Sequence, residues 1–149
     1  SSEIPMPPAE QKGTFGEILK DAMEEDCSMK VVRSVYSQVN RMIAEHKEQK
    51  LEEPLVIKGE DVSGMLRYVG VPEERVNTFE ERFTAEFGDK AEINPKNITE
   101  PSLKVKTPEV TIKVNAGHTD LIDTKIIDGV KYIMIRAEDA EVNGIDIVF

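Results

Sequence analysis

The chain has 149 residues, 29 acidic against 19 basic side chains for a formal net charge of -10, and 39% hydrophobic residues with no Trp and one Cys. That apolar content suffices to fold one domain, or two small ones on a common core, and excludes wholesale disorder. The lone Cys excludes an internal disulfide framework and a cysteine-based zinc site, and the acid surplus argues against binding nucleic acid by neutralising its phosphates.

No apolar run approaches the ~20 residues that span a bilayer, and no signal peptide opens the chain. A soluble cytoplasmic protein is therefore expected. Residues 1–13 read as a linker or disordered tail. They begin at Ser1-Ser2 without an initiator Met, and prolines stiffen Ile4-Pro5-Met6-Pro7-Pro8 into extended geometry. This opening suggests a segment of something longer, whose upstream residues are out of view.

Residues 14–94 carry helical spacing. Thr14 and Glu17 form an S/T-x-x-E capping box, followed by Phe15, Ile18, Leu19, Ala22 and Met23 on one face. Acidic Glu24-Glu25-Asp26 opposes the dipole at the C-terminal end and predicts a stop there. Ser28 caps a second predicted helix reaching about Lys50, with Val32, Val35, Val39, Met42, Ile43 and His46 at intervals of three and four. Leu55-Val56-Ile57 is a short strand or buried link. A third helix is predicted over Glu60 to Val69, stopped by Gly70. Pro72 with Glu73 and Glu74 opens a fourth, whose stripe of Phe79, Phe83 and Phe87 ends at Gly88.

After Asn94-Pro95 the period becomes two, so residues 95–149 form the β half. Leu103 and Val105 alternate with Lys104 and Lys106; Val110, Ile112 and Val114 alternate with Thr111 and Lys113. Asp128-Gly129 and Asn143-Gly144 each mark a tight hairpin. The expected class is α+β: about four N-terminal helices laying their Phe stripe over a mainly antiparallel meander, the two halves sharing one core. Charge is uneven, with 12 acids and 6 bases in residues 51–100, a net of -6. This reads as a solvated helix surface or as an acidic docking face.

Several stretches resemble one family. They are Glu45-His46-Lys47-Glu48, Glu53-Pro54-Leu55-Val56-Ile57 and Gly70-Val71-Pro72-Glu73-Glu74, then Val105 to Asn115, Val130-Lys131-Tyr132 and Glu141-Val142-Asn143-Gly144-Ile145. Over most of residues 15–149 the chain resembles the C-terminal part of an uncharacterised family of Firmicutes, mostly gut clostridia, known as a domain of unknown function. The resemblance implies longer family members. It implies no activity, cofactor or site residue. The Ala116-Gly117-His118 loop departs from the family's charged, Pro-containing pattern.

Few residues carry recognisable chemistry. Cys27 follows three acids, which disfavour its thiolate, while a cap at Ser28 would favour it. His46 lacks an H-E-x-x-H partner and suits a helix C-terminus. His118 and Asp120 form an H-x-D pair with two potential ligands and no predictable third; by default Asp120 reads as a turn or strand-start residue. With Asp123 they are the candidate site residues, both as metal ligands and as an accessory catalytic cluster. Glu138, Asp139 and Glu141 match no calcium loop. Lys58-Gly59 precedes a helix, but Glu60-Asp61 would repel an anion there, and no Gly-rich phosphate loop occurs. Lys104, Lys106, Lys113, Lys125, Lys131 and Arg136 decorate the strands, either as a positive face for nucleic acid or as edge lysines that discourage sheet pairing.

The favoured expectation is a non-enzymatic interaction or assembly module, with a protein partner or self-association, no membrane and no cofactor. The alternatives are an accessory domain of an enzyme whose chemistry lies upstream and a lysine-faced nucleic-acid binder.

Overall fold

The computed structural model describes residues 5–115 and 117–149; residues 1–4 of the expected linker, and Ala116, lie outside them. Helix α1 runs Pro8–Met23, starting at Pro8 rather than at Thr14. Proline at the first helical position loses no needed N–H and has φ preset, and Glu10 suits the positive end of the dipole. Residues 8–13 are thus helix, and the Thr14–Glu17 pattern lies inside it. A 3₁₀ turn at Glu24–Asp26 follows, where the acidic run predicted a stop. What holds those acids is distant in sequence: Arg75 donates to Glu24 and, at 3.0 Å, to Asp26.

Helix α2 spans Met29–Gln49; the Ser28 hydroxyl accepts from the Val31 N–H at 3.3 Å, and Lys50 ends it in the left-handed region. Helix α3 spans Gly59–Tyr68, its start held by the Asp61 carboxylate, which accepts from the Lys58 N–H at 2.8 Å. Helix α4 spans Glu73–Phe87 and stops at Gly88, φ 101°. Among the described residues no helix is long and apolar enough to cross a membrane.

The core belongs to the helices. Phe15 of α1 meets Phe79 of α4 edge-on at 6.3 Å and Tyr36 of α2 at 6.4 Å, while Phe83 lies between Phe79 and Phe87. The Phe stripe therefore packs on α1 and α3, not over strands as expected. Gly59 is required where it stands, since a Cβ there would lie 2.9 Å from the buried Phe83 ring. Beyond α4 the chain folds back beneath the body: Ile57 and Ile93 exchange backbone hydrogen bonds of 2.7 and 3.0 Å, and Ile93 and Ile98 complete the core.

Ser63 on α3 is fully buried, and its hydroxyl has no hydrogen-bond partner among the described residues. Replacing a buried unsatisfied polar atom by hydrogen removes a desolvation cost of about 1–3 kcal/mol. Ser63→Ala is accordingly expected to leave stability unchanged or raise it by up to about 1 kcal/mol, read by urea denaturation; a loss above that would show that the hydroxyl has a partner.

The α+β class and the hairpins at both predicted turns are present. The strands are β1 (Leu103–Lys106), β2 (Thr111–Val114), β3 (Ile122–Ile127), β4 (Val130–Ile135), β5 (Ala140–Val142) and β6 (Ile145–Ile147). They pair antiparallel as β1–β2, β3–β4 and β5–β6, giving three separate two-stranded ribbons rather than one meander under the helices. The physical reason is that α1–α4 with Ile93 and Ile98 already close the core, leaving no uncovered helical stripe for a sheet. Only Ile122 of the strands is fully buried. The accessible surface, 10787 Å², exceeds the roughly 7,600 Å² of a compact monomer of this length by about 3,000 Å².

Candidate functional site

His118, Asp120 and Asp123 lie at the entrance to β3, around a 3₁₀ turn at Thr119–Leu121. The fold separates their side chains into different partnerships. The Asp120 carboxylate is 3.3 Å from the Arg136 guanidinium. Asp123 is 3.8 Å from Arg33 of α2 and also accepts from the Thr124 N–H at 2.8 Å. His118 serves through its backbone, donating to the Asn115 carbonyl and accepting from the Leu121 N–H. No group of three or more potential metal ligands occurs among the described residues.

Beside this turn, α2 and the segments around Pro101 and Thr119 enclose a groove of about 490 Å³. Its polar groups hold the chain together. Asn40 donates to the Glu100 carbonyl and accepts from the Thr99 hydroxyl, both at 3.0 Å. The Ser37 and Thr119 hydroxyls share a 3.0 Å hydrogen bond. Burial and the nearby Glu100 carboxylate push the Tyr36 phenol upward, so it stays protonated. The groove fastens the β half to α2, and sequence reasoning missed it because Asn40, Ser37, Thr99 and Thr119 form no contiguous motif.

Glu100 also pairs with Lys12 at 2.7 Å, and this hydrogen bond lowers its carboxyl below the ordinary range. A depressed carboxyl stabilises above its unfolded pKa and loses that contribution as pH falls through the folded one. Lys12→Gln is therefore expected to lower the melting temperature slightly near neutral pH, with the difference from wild type vanishing as pH falls through the depressed Glu100 titration. A difference independent of pH would sink this assignment.

Elsewhere the chemistry is local. Burial pushes the Cys27 thiol upward, outweighing the opposing pull of Lys20, so burial rather than the acids or the Ser28 cap sets the direction. His46 hydrogen-bonds the Glu53 carbonyl at 2.7 Å, fastening the end of α2 to the following link. Glu138 and Asp139 are exposed, and Glu141 stands opposite Asp146 across β5–β6. Of the strand cations, Lys104, Lys106 and Lys113 share one face of β1–β2, with Lys104 directly opposite Lys113. Lys125 and Lys131 fall on opposite faces of β3–β4.

The β3–β4 ribbon has the most unusual surface. Asp128 and Gly129 both have positive φ, 50° and 79°, and make a two-residue loop between the paired Ile127 and Val130. That loop points the backbone groups of Val130, Tyr132 and Met134 inward to β3 and those of Lys131, Ile133 and Ile135 outward. On β3, the outward carbonyl of Ile122 accepts from the Arg33 guanidinium. One face of the ribbon gathers Ile127, Val130, Tyr132 and Met134, all exposed, with Lys125 opposite Tyr132 and Asp123 opposite Met134. Ribbon, Arg33 clamp and groove form one corner of the molecule.

The chain belongs to the family described as Domain of unknown function (DUF4317), whose model matches residues 1–145. No curated protein and no solved structure matches it.

Proposed function

We propose that this member of the family is a docking module of the cytoplasm, in which the helical body presents apolar β-ribbons to a protein partner. The observation that carries the reading is the exposure of large apolar side chains on both faces of β3–β4: Val130 51%, Tyr132 46%, Ile127 43% and Met134 41% on one, Ile126 67% and Ile135 52% on the other. Isolated two-stranded ribbons are marginal in water, and contiguous apolar patches of this kind mark interaction sites. Strands with unpaired edges also offer backbone donors and acceptors to an incoming strand. No nucleophile, base and orienting group converge among the described residues, so nothing in the geometry favours an enzymatic role for this corner.

A photo-cross-linking phenylalanine analogue placed at Tyr132, in protein expressed in cells, is expected to give discrete protein adducts. The same analogue at Tyr68, exposed on the helical body, is the control and should give none. Equal absence of adducts from both positions would overturn the docking role.

A further inference from the structure

We propose that the occupant of the β4 edge is the β4 edge of a second copy of this chain, paired antiparallel about a two-fold axis through Tyr132. The inference rests on the docking role above and names its partner.

The choice of edge follows from charge and hydrogen bonding. On β1–β2, Lys104 already faces Lys113 with Lys106 beside them, so a second copy of that ribbon adds like charge. The β3 edge is occupied at Ile122 by Arg33. The β5–β6 strands are three residues long and turn Glu141 and Asp146 outward. The β4 edge offers six residues, with outward Lys131, Ile133 and Ile135 and no capping side chain among the described residues.

Charge then selects the register. Antiparallel partners must align outward-pointing residues with one another. Centring the axis on Lys131 sets lysine against lysine and overlaps only residues 130–132. Centring it on Ile133 aligns Asp128 with Glu138 of the second copy. The register between them places Tyr132 opposite Tyr132, Val130 opposite Met134 and Lys131 opposite Ile133, overlapping residues 130–134. It also brings Asp128 of each copy into line with Arg136 of the other, two opposite-charge pairs at the ends of the seam. Arg136 can exchange partners, because its guanidinium's two present hydrogen bonds, to the Asp120 carboxylate and backbone carbonyl, are exposed and 3.3 Å long. The result is a four-stranded sheet whose two central strands bring Val130, Tyr132 and Met134 of both copies together on one face, bordered by Ile127, Lys125 and Asp123 of each β3.

Facing tyrosines would form a non-hydrogen-bonded pair, with Cα atoms about 4.5 Å apart, within disulfide reach. In a Cys27→Ser background, Tyr132→Cys is expected to give a covalent dimer under mild oxidation, whereas Tyr68→Cys stays monomeric. Circular dichroism confirms that each variant folds. Independently, Arg136→Glu should weaken the dimer at least about tenfold in sedimentation, since it opposes Asp128 across the seam. Adding Asp128→Asn, which keeps a turn-compatible residue, should recover most of that loss. A folded Tyr132→Cys protein that stays monomeric on oxidation overturns the self-pairing, as does an Arg136→Glu dimer as tight as wild type. If Tyr132 nonetheless cross-links to another protein, docking stands and only the second copy is wrong.

Discussion

Replacing Phe79 by alanine is expected to cost about 3–5 kcal/mol of folding free energy, the range for truncating a buried aromatic. Phe79 is fully buried at the centre of the body, edge-on to Phe15 of α1 and 5.7 Å from Phe83. Its removal opens a cavity that α1 and α4 cannot close independently, since each also holds α2 or α3. Against the 5–15 kcal/mol of a typical domain this is a large share, and the melting temperature should fall by on the order of 10 °C. Phe87→Ala, at the half-buried end of the same stripe, should cost less than half as much. Urea and thermal unfolding followed by circular dichroism read both. A loss below about 1 kcal/mol at Phe79 would mean that the rings do not carry the core.

The second large effect has a different reach. Ile122→Ala should cost about 2–5 kcal/mol, but locally. Ile122 is fully buried yet stands apart from the body's main cluster, anchoring β3 against α2. Arg33 reinforces that anchor through the Ile122 carbonyl and Asp123. Amides of β3 and β4 should therefore exchange at least about tenfold faster, while those of α1 and α4 keep their protection. A uniform increase across the molecule would show that ribbon and body open as one unit.

Local signals made most elements legible in the sequence. Ser28, Gly70 and Gly88 mark helix ends because caps and left-handed backbone depend on one or two residues. Asp128-Gly129 and Asn143-Gly144 announce hairpins for the same reason. The start of α1 escaped because the Thr14–Glu17 pattern can occur inside a helix, whereas Pro8 supplied the actual beginning. The destination of the β half was not legible. Alternating strands announce a covered face without saying what covers it, and the helices' own closure around Phe79 depends on contacts between segments far apart in the chain. Of the site candidates, sequence placed His118, Asp120 and Asp123 at one corner. It could not show that Arg136 and Arg33 would claim the two carboxylates separately.

The pairing of α1 with α4 has a consequence for synthesis. Phe15 cannot bury its ring until Phe79 exists, and the floor of the core waits for Ile93 and Ile98. While the chain is being translated, its first helices therefore stay open to chaperones until some eighty further residues have followed Phe15. The ribbons emerge after the residues of the body, and each pairs strands that are neighbours in the chain, with β3 anchored on α2 through Ile122.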